Sequence, residues 1–297
     1  MPGLGYGAAV SHPSSVRAVA TGLVVGAAVS IQFGAALAAL VFPATGPMGM
    51  VTLRLAFAAA ILLLLVRPPL RGRPRRDWLL IVAFGLALAA MNSLLYHALD
   101  LIPLGAAVTF EVLGPLVLYV VLGRRARNVV WAVLALAGVY ALSGGGVTDL
   151  VPAGVALALG AAAAWAAYIL LGARVAHRFT GAEGLALALA VGAVVTAPLG
   201  VASAGPALVE PRVLGIGAVV ALLSSVVPYT LELAALRRVS AGSFAVMMSL
   251  YPLTAALAGL LVLGQRLGWV ELLGVLLVAL ATAGATSGVR PARPDAA

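Results

Sequence analysis

The sequence contains no cysteine and no lysine, and only 9% of its 297 residues are charged. The absence of cysteine excludes disulfide bonds and thiolate metal ligands. The scarcity of charge excludes an ordinary water-soluble domain, in which about 25% of the residues are charged. Most of the chain is apolar, because 63% of the residues are hydrophobic and the mean hydropathy is +1.15. This composition predicts a protein embedded in a lipid bilayer.

Ten apolar runs approach the length of about 20 residues that a membrane-spanning helix requires. Short connections rich in Pro, Gly and Arg separate them, as in "VRPPLRGRPRRD". The runs are about twice as long as barrel strands and do not alternate at period two, so we expect an all-α integral membrane protein. The predicted spans are Ala18–Val41, Met48–Val66, Trp78–Leu99, Leu104–Leu122, Val129–Ser143, Ala153–Leu171, Gly184–Val201, Leu214–Leu236, Gly242–Leu263 and Gly268–Thr286.

All 18 basic residues are arginines, and their distribution indicates the topology. With the amino terminus in the cytoplasm, 15 arginines fall in cytoplasmic segments, two on the opposite side, and Arg54 within a span. Positive charge is enriched in cytoplasmic loops of membrane proteins, so both tails, 1–17 and 288–297, are expected there. Arginines scattered in loops without an aromatic patch do not indicate a nucleic-acid partner, despite the net charge of +9.

The chain also contains an internal repeat. "ALDLIPLG" (Ala98–Gly105) and "ALRRVSAG" (Ala235–Gly242) lie 137 residues apart, and the same offset relates Pro115 to Pro252. Five spans per copy is an odd number, so the copies, 18–145 and 152–287, would insert with opposite orientation. Inverted repeats of this kind are typical of secondary transporters, whose substrate site lies near the midplane between the repeats. Chance similarity within Ala/Leu-rich sequence is the alternative.

Several stretches resemble a known family. They are "SIQFGAALA" (Ser30–Ala38), "TLRLAFAAAIL" (Thr52–Leu62), "MNSLLYHAL" (Met91–Leu99), "PLGAAVTFEVLGPL" (Pro103–Leu116), "AWAAYILLG" (Ala164–Gly172) and "VPYTLELAALRRVSAGSFAVMMSLYP" (Val227–Pro252). In these the chain resembles the ten-helix EamA-type branch of the drug/metabolite transporter superfamily, and it is most similar to the threonine/homoserine exporters. It departs from that group at Tyr251 and Gln265, where the exporters tend to carry acids.

The resemblance implies a secondary transporter that exports a small amino-acid-like metabolite across the bacterial cytoplasmic membrane, coupled to protons. A flippase or drug transporter on the same fold, and a membrane assembly subunit without transport, are the alternatives. A small-molecule substrate and lipid are the expected partners, and the protein would act as a monomer or homodimer. No P-loop, nucleophile elbow or metal-ligand cluster occurs in the sequence, so we expect no enzyme and no cofactor.

Two charged residues inside spans are the principal site candidates. A charge at the bilayer centre costs about 2.5–3.5 kcal/mol, so it usually faces a cavity or a partner. Glu111 is predicted to bind a substrate ammonium or a proton; a structural ion pair with Arg54 and a neutral carboxyl are the alternatives. Arg54 is predicted to bind a substrate carboxylate, to pair with Glu111, or to extend towards the membrane surface.

The other candidates are polar or aromatic residues at helical spacing. Asn92 and Tyr96 share a face of the third span and either line a pocket or bond neighbouring helices. Tyr229 and Glu232 share a face of the eighth span, where a salt bridge from Glu232 to Arg237 and Arg238 is the alternative role. Pro228 frees a backbone carbonyl in that span. Trp165 and Tyr168 in the sixth span either form an aromatic wall or pack in the core, and the remaining candidates are Tyr251 and Gln32.

Overall fold

The computed structural model describes residues 13–102, 104–123, 126–142, 151–263 and 268–286. These residues are helical apart from short turns and loops, and they include no β-strand. Six of the described helices are long and apolar enough to cross a bilayer, judged by length and composition. The chain is therefore an all-α multi-pass membrane protein, as the composition predicted.

Twelve α-helices are present in the described part of the chain. They are α1 (Pro13–Ala39), α2 (Phe42–Val66), α3 (Arg75–Leu101), α4 (Leu104–Gly123), α5 (Ala126–Leu142), α6 (Pro152–Arg178), α7 (Glu183–Ala204), α8 (Pro211–Ala221), α9 (Val227–Leu236), α10 (Ala241–Met247), α11 (Tyr251–Leu263) and α12 (Trp269–Thr286). Each predicted span coincides with one helix or with two consecutive helices. The largest difference is at α6, which continues seven residues beyond the predicted Leu171.

Two spans are interrupted rather than continuous. A π-helical turn, Leu222–Val226, joins α8 to α9, and a 3₁₀ turn, Met248–Leu250, joins α10 to α11. The twelve described helices therefore form ten spans. A third irregularity lies early in α2, where Gly46 has a φ of 63° and precedes Pro47. Interrupted membrane helices expose backbone polar groups, which are tolerated where they line a cavity or bond to other protein groups.

The packing of the helices follows the predicted repeat. In that repeat, α1 to α5 correspond to α6, α7, α8–α9, α10–α11 and α12. Equivalent helices of the two halves are in contact in three cases: α2 with α7, α4 with α10, and α5 with α12. Exchanging the halves leaves each of these contacts unchanged. The contact of α3 with α6 maps onto the contact of α9 and the π turn with α1. A two-fold relation between halves would produce this pattern.

The repeated sequence motif also occupies equivalent places. Its first copy ends α3 and begins α4, and its second copy ends α9 and begins α10. The residue boundaries of the two repeats remain a prediction. Gln265, Asp149 and both terminal tails lie outside the described residues.

Glycines allow the closest helix contacts at the centre of the bundle. A Cβ atom at Gly114 of α4 would lie 1.9 Å from the carbonyl oxygen of Ala162 in α6. A Cβ atom at Gly34 of α1 would lie 2.0 Å from Oγ of Ser224 in the π turn. Small residues let membrane helices approach closely in this way. These two contacts bring α4 and α1 against the elements that carry the candidate site.

Candidate substrate site

A cavity of about 560 Å³, its opening included, lies between the two halves. Nine of the ten candidate residues line it: Gln32, Arg54, Asn92, Tyr96, Glu111, Trp165, Tyr229, Glu232 and Tyr251. The tenth, Tyr168, does not line the cavity but bonds to Glu232. Apolar side chains complete the wall: Ile31, Ala35, Met91, Leu95, Leu99 and Val108.

Arg54 is buried at the centre of a hydrogen-bond network, with only 2% of its surface exposed. Its Nε donates to Oγ of Ser225 at 2.7 Å, and Nη1 donates to the hydroxyl of Tyr96 at 2.9 Å. Its Nη2 donates to the carbonyl oxygen of Ser224 at 2.5 Å and to the hydroxyl of Tyr229 at 2.9 Å. Four of the five donors of the guanidinium are therefore held by protein. Extension towards the membrane surface, one of the predicted alternatives, is wrong.

The Ser224 carbonyl is available to Arg54 because of Pro228. In a regular helix this carbonyl would accept from the N–H four residues later, and proline has none. The π turn immediately before α9 also shifts the local bonding, since the N–H of Val227 donates to Leu222. The neighbouring Leu223 carbonyl accepts from Oγ of Ser30 in α1 at 2.6 Å. Two backbone carbonyls that are free of helical hydrogen bonds thus tie the interrupted span to the first half of the chain.

Glu111 forms no hydrogen bond and no close ion pair in the described part of the chain. Its side chain is buried, yet no described residue lies within hydrogen-bond or ion-pair distance of its carboxyl group. The Arg54–Glu111 ion pair is therefore absent, although both side chains line the same cavity. Buried charges in proteins are normally paired or coordinate a ligand. An unpaired carboxyl facing a cavity is a site to which a cation can bind.

Glu232 is held by two tyrosines. The hydroxyl of Tyr168 donates to Oε2 at 2.5 Å, and the hydroxyl of Tyr251 donates to Oε1. The predicted alternative, a salt bridge to Arg237 and Arg238, is wrong. Arg237 instead donates to backbone carbonyls at the end of α6 and in the turn after it. Glu232 therefore points into the bundle, towards Tyr168 on α6 and Tyr251 on α11. The sequence alone did not place these two helices beside it.

Asn92 and Tyr229 meet between the two halves of the chain. Nδ2 of Asn92 donates to the hydroxyl of Tyr229 at 3.1 Å, and to the carbonyl of Leu88 at 2.7 Å. These two residues are 137 residues apart, which is the offset of the internal repeat, so they are equivalent positions that contact each other. The Tyr229 hydroxyl also accepts a hydrogen bond from Arg54, so the network spans α2, α3 and α9.

Two further polar groups of the cavity wall lack partners. Gln32 and Trp165 are 6% and 3% exposed, and within the described ranges neither side chain forms a hydrogen bond. The indole ring of Trp165 packs against the Tyr251 ring, with 5.2 Å between centroids. Buried polar groups are satisfied in at least 90% of cases, so each exception needs an explanation. Glu111, Gln32 and Trp165 are three such exceptions in one cavity.

Tyr168, the candidate outside the cavity, and the nearby polar residue His97 have structural partners. Nδ1 of His97 lies 2.8 Å from the Ser93 carbonyl on the same helix. Tyr168 stacks on Phe84 at 5.3 Å in addition to its bond to Glu232. The sequence did not identify the Ser224 carbonyl as a functional group, although Pro228 was a signal for it.

Comparison with known proteins identifies the family. The profile of the EamA-like transporter family matches residues 152–287. The threonine/homoserine exporter RhtA of Salmonella typhimurium (strain SL1344) is 38% identical over 267 residues, which is 88% of this chain and 89% of that protein. The RhtA of Escherichia coli (strain K12) is similar to the same extent. The chain belongs to the EamA-like transporter family.

A solved structure supports the same fold. Its chain is 22% identical to this one, with a TM-score of 0.70 over 93% of this chain and 98% of that one. At this identity the likeness concerns the fold alone. As a member of the EamA-like family, within the drug/metabolite transporter superfamily, the chain is a membrane transporter, and the resemblance read from its motifs is confirmed.

Proposed function

We propose that this transporter exports small neutral amino acids, of the threonine and homoserine type, across the bacterial cytoplasmic membrane. The identity to the RhtA exporters along most of the chain supports the substrate class. The observation that carries the proposal is the cavity between the halves with the unpaired carboxyl of Glu111 in its wall. Substrate passage would follow alternating access, with one half moving against the other around the cavity.

Glu111 would bind the ammonium group of the substrate. An ammonium donates up to three hydrogen bonds, and bonds between charged groups are about twice as strong as neutral ones. Arg54 is fixed by Ser225, Tyr96, Ser224 and Tyr229, so it does not compete with the ammonium for the carboxylate. The geometry therefore leaves Glu111 free for a ligand.

The substrate carboxylate would be bound by N–H donors of the wall. The side-chain amide of Gln32 and the indole N–H of Trp165 have no protein acceptor among the described residues. The remaining guanidinium donor of Arg54 is a third group of this kind. Apolar side chains on α1, α3 and α4 would enclose the substrate side chain, namely Ile31, Leu95, Leu99 and Val108.

The other candidates would hold the wall in place. Asn92, Tyr96 and Tyr229 fix the Arg54 guanidinium, and Tyr168 and Tyr251 fix Glu232. Tyr251 stands where the exporter group tends to carry an acid, and its hydroxyl bonds to the acid at position 232. We propose that this tyrosine–glutamate contact takes over the place of the missing carboxylate.

The unpaired Glu111 supports a mechanism of proton antiport. An isolated buried carboxylate is costly, so a proton would replace the ammonium when the substrate leaves. A site that holds either a proton or an ammonium, but not both, exchanges one for the other across the membrane. In this proposal both termini are cytoplasmic, the protein is a monomer or homodimer, and it catalyses no chemical reaction.

The proposal can be tested by metabolite release from cells that overproduce the protein. We expect more threonine or homoserine in the medium than from cells with the empty vector. Glu111→Gln keeps the side-chain size and removes the charge, so release should fall to the empty-vector level at unchanged protein abundance. Glu210→Gln is the matched control, because Glu210 is exposed and does not line the cavity. Undiminished release by Glu111→Gln would refute the proposed role.

A further inference from the structure

Two ion pairs connect the halves of the chain at one end of the bundle. Oδ1 of Asp77, in the first turn of α3, accepts from Nε of Arg178 at 2.9 Å, where α6 ends. Oε2 of Glu183, where α7 begins, accepts from Nη2 of Arg73 at 2.7 Å. Arg73 and Asp77 belong to the first half, and Arg178 and Glu183 to the second.

Further contacts stabilise the same end. The Arg73 guanidinium lies over the ring of Phe179, 5.2 Å from its centroid, which again joins the two halves. Arg237 donates to the backbone carbonyls of three residues around this position in the chain: Ala176 at 2.8 Å, Phe179 itself, and Gly181. The arginine distribution predicts that this end is cytoplasmic.

Along α3 the cavity lies far from this end, although Glu232 of the cavity wall is only five residues before Arg237. Asn92 follows Asp77 by 15 residues of the same helix, which is about 22 Å at 1.5 Å per residue. Fully buried apolar side chains fill the α3 face between them: Ile81, Phe84 and Leu88. Glu111, by contrast, is seven residues from the start of α4, about 10 Å from the opposite end. On the α3 side, packed side chains therefore separate the cavity from the ion pairs.

The opposite end has no such connection in the described part of the chain. Three charged side chains described there, those of Asp100, Glu210 and Arg212, are exposed and form no ion pair with described residues. Both ion pairs found among the described residues are thus at the end that is closed.

We propose that Asp77–Arg178 and Arg73–Glu183 form a latch that holds the halves together at the cytoplasmic end and breaks when the cavity opens to the cytoplasm. This inference rests on the proposed alternating access but not on the identity of the substrate. An ion pair near the surface shifts an equilibrium by about two- to fivefold. Two such pairs therefore favour the state in which the cytoplasmic end is closed, without preventing that end from opening.

The latch is tested first by charge reversal, with Ile81→Cys as a reporter in the naturally cysteine-free chain. Ile81 is fully buried one turn beyond Asp77, so a thiol there reacts with a membrane-impermeant maleimide only when this end opens. Arg178→Asp places two carboxylates together and should raise the labelling rate by about two- to fivefold. Adding Asp77→Arg restores an opposite-charge pair and should return the rate to that of the parent.

Arg238→Asp is the matched control for charge. Arg238 is exposed at the same end, and among the described residues its side chain bonds only the Ala234 carbonyl of its own segment. We expect no change in the labelling rate for this variant. An equal increase for Arg238→Asp, no increase for Arg178→Asp, or no recovery in the swapped protein would overturn the latch.

Crosslinking provides a second measurement that does not depend on the stability of charge variants. A cleavable bifunctional thiol reagent would join Asp77→Cys to Arg178→Cys across the halves, and threonine exchange in vesicles should stop until a reductant cleaves the link. Arg178→Cys with Glu183→Cys lies within one half and should exchange normally after the same treatment. Continued exchange in the crosslinked cross-half protein would refute the latch.

Absence of threonine exchange in the parent would instead refute the proposed substrate, and labelling would then decide the latch alone.

Discussion

Replacing Arg54 and Glu111, singly and together, distinguishes two hypotheses: that they form a structural ion pair, or that they have independent roles. Arg54→Gln removes a guanidinium that makes four hydrogen bonds, and it leaves the buried Ser224 carbonyl without a donor, because Pro228 has no N–H. An unsatisfied buried carbonyl alone costs about 1–3 kcal/mol. Its other partners are three hydroxyl groups and no carboxylate, so we expect Arg54→Gln to lose at least this amount, about 1–3 kcal/mol.

Glu111→Gln should behave differently. Its carboxyl has no partner within the described residues, so we expect nearly unchanged stability but no export. The double variant should be as unstable as Arg54→Gln and equally inactive. Apparent melting temperature in detergent, measured by the loss of monodisperse protein, reports stability, and threonine release reports transport. Recovery of both properties in the double variant would show that Glu111 serves only to neutralise Arg54, and it would refute our reasoning.

Three further predictions concern packing, topology and the second acid. Gly114→Ala should destabilise the protein by about 1–3 kcal/mol, since its Cβ would lie 1.9 Å from the Ala162 carbonyl; Gly215→Ala, with no atom near its Cβ, should not lower the melting temperature. Reporter fusions at Gly72 and Asp149 should give cytoplasmic and external signals respectively, and equal signals would contradict the topology. Tyr251→Phe removes one of the two hydroxyl donors to Glu232 and should cost about 1–3 kcal/mol; a melting temperature equal to that of the parent would contradict that bond's contribution.

The spans could be predicted from sequence because the bilayer imposes a simple length and composition on each helix. Every predicted run became a helix or a pair of helices, and α4 begins at the predicted residue. The interruptions were harder to predict. Pro228 indicated a freed carbonyl near α9, but the π turn at Leu222–Val226 depends on contacts with α1 and α2 that are remote in sequence.

The residues that line the cavity were also largely predictable, because polar residues on membrane helices face the bundle interior. The partners were not. Arg54 and Glu111 were the simplest charged pair to propose at similar depth, yet Arg54 bonds to Ser225 and Tyr229, more than 170 residues away. Glu232 was close to Arg237 in sequence, but its carboxyl turns inward to tyrosines on α6 and α11. Such choices depend on helix rotation and packing, which spacing within one helix does not determine.

The central claim, that Glu111 binds the substrate, is tested most directly by counterflow of radiolabelled threonine in proteoliposomes that contain the purified protein. The account predicts saturable counterflow for the parent protein and for Glu210→Gln, and background counterflow for Glu111→Gln reconstituted to the same density. Counterflow by Glu111→Gln at the parental rate would contradict the role of that carboxyl, and background counterflow by the parent would contradict the proposed substrate.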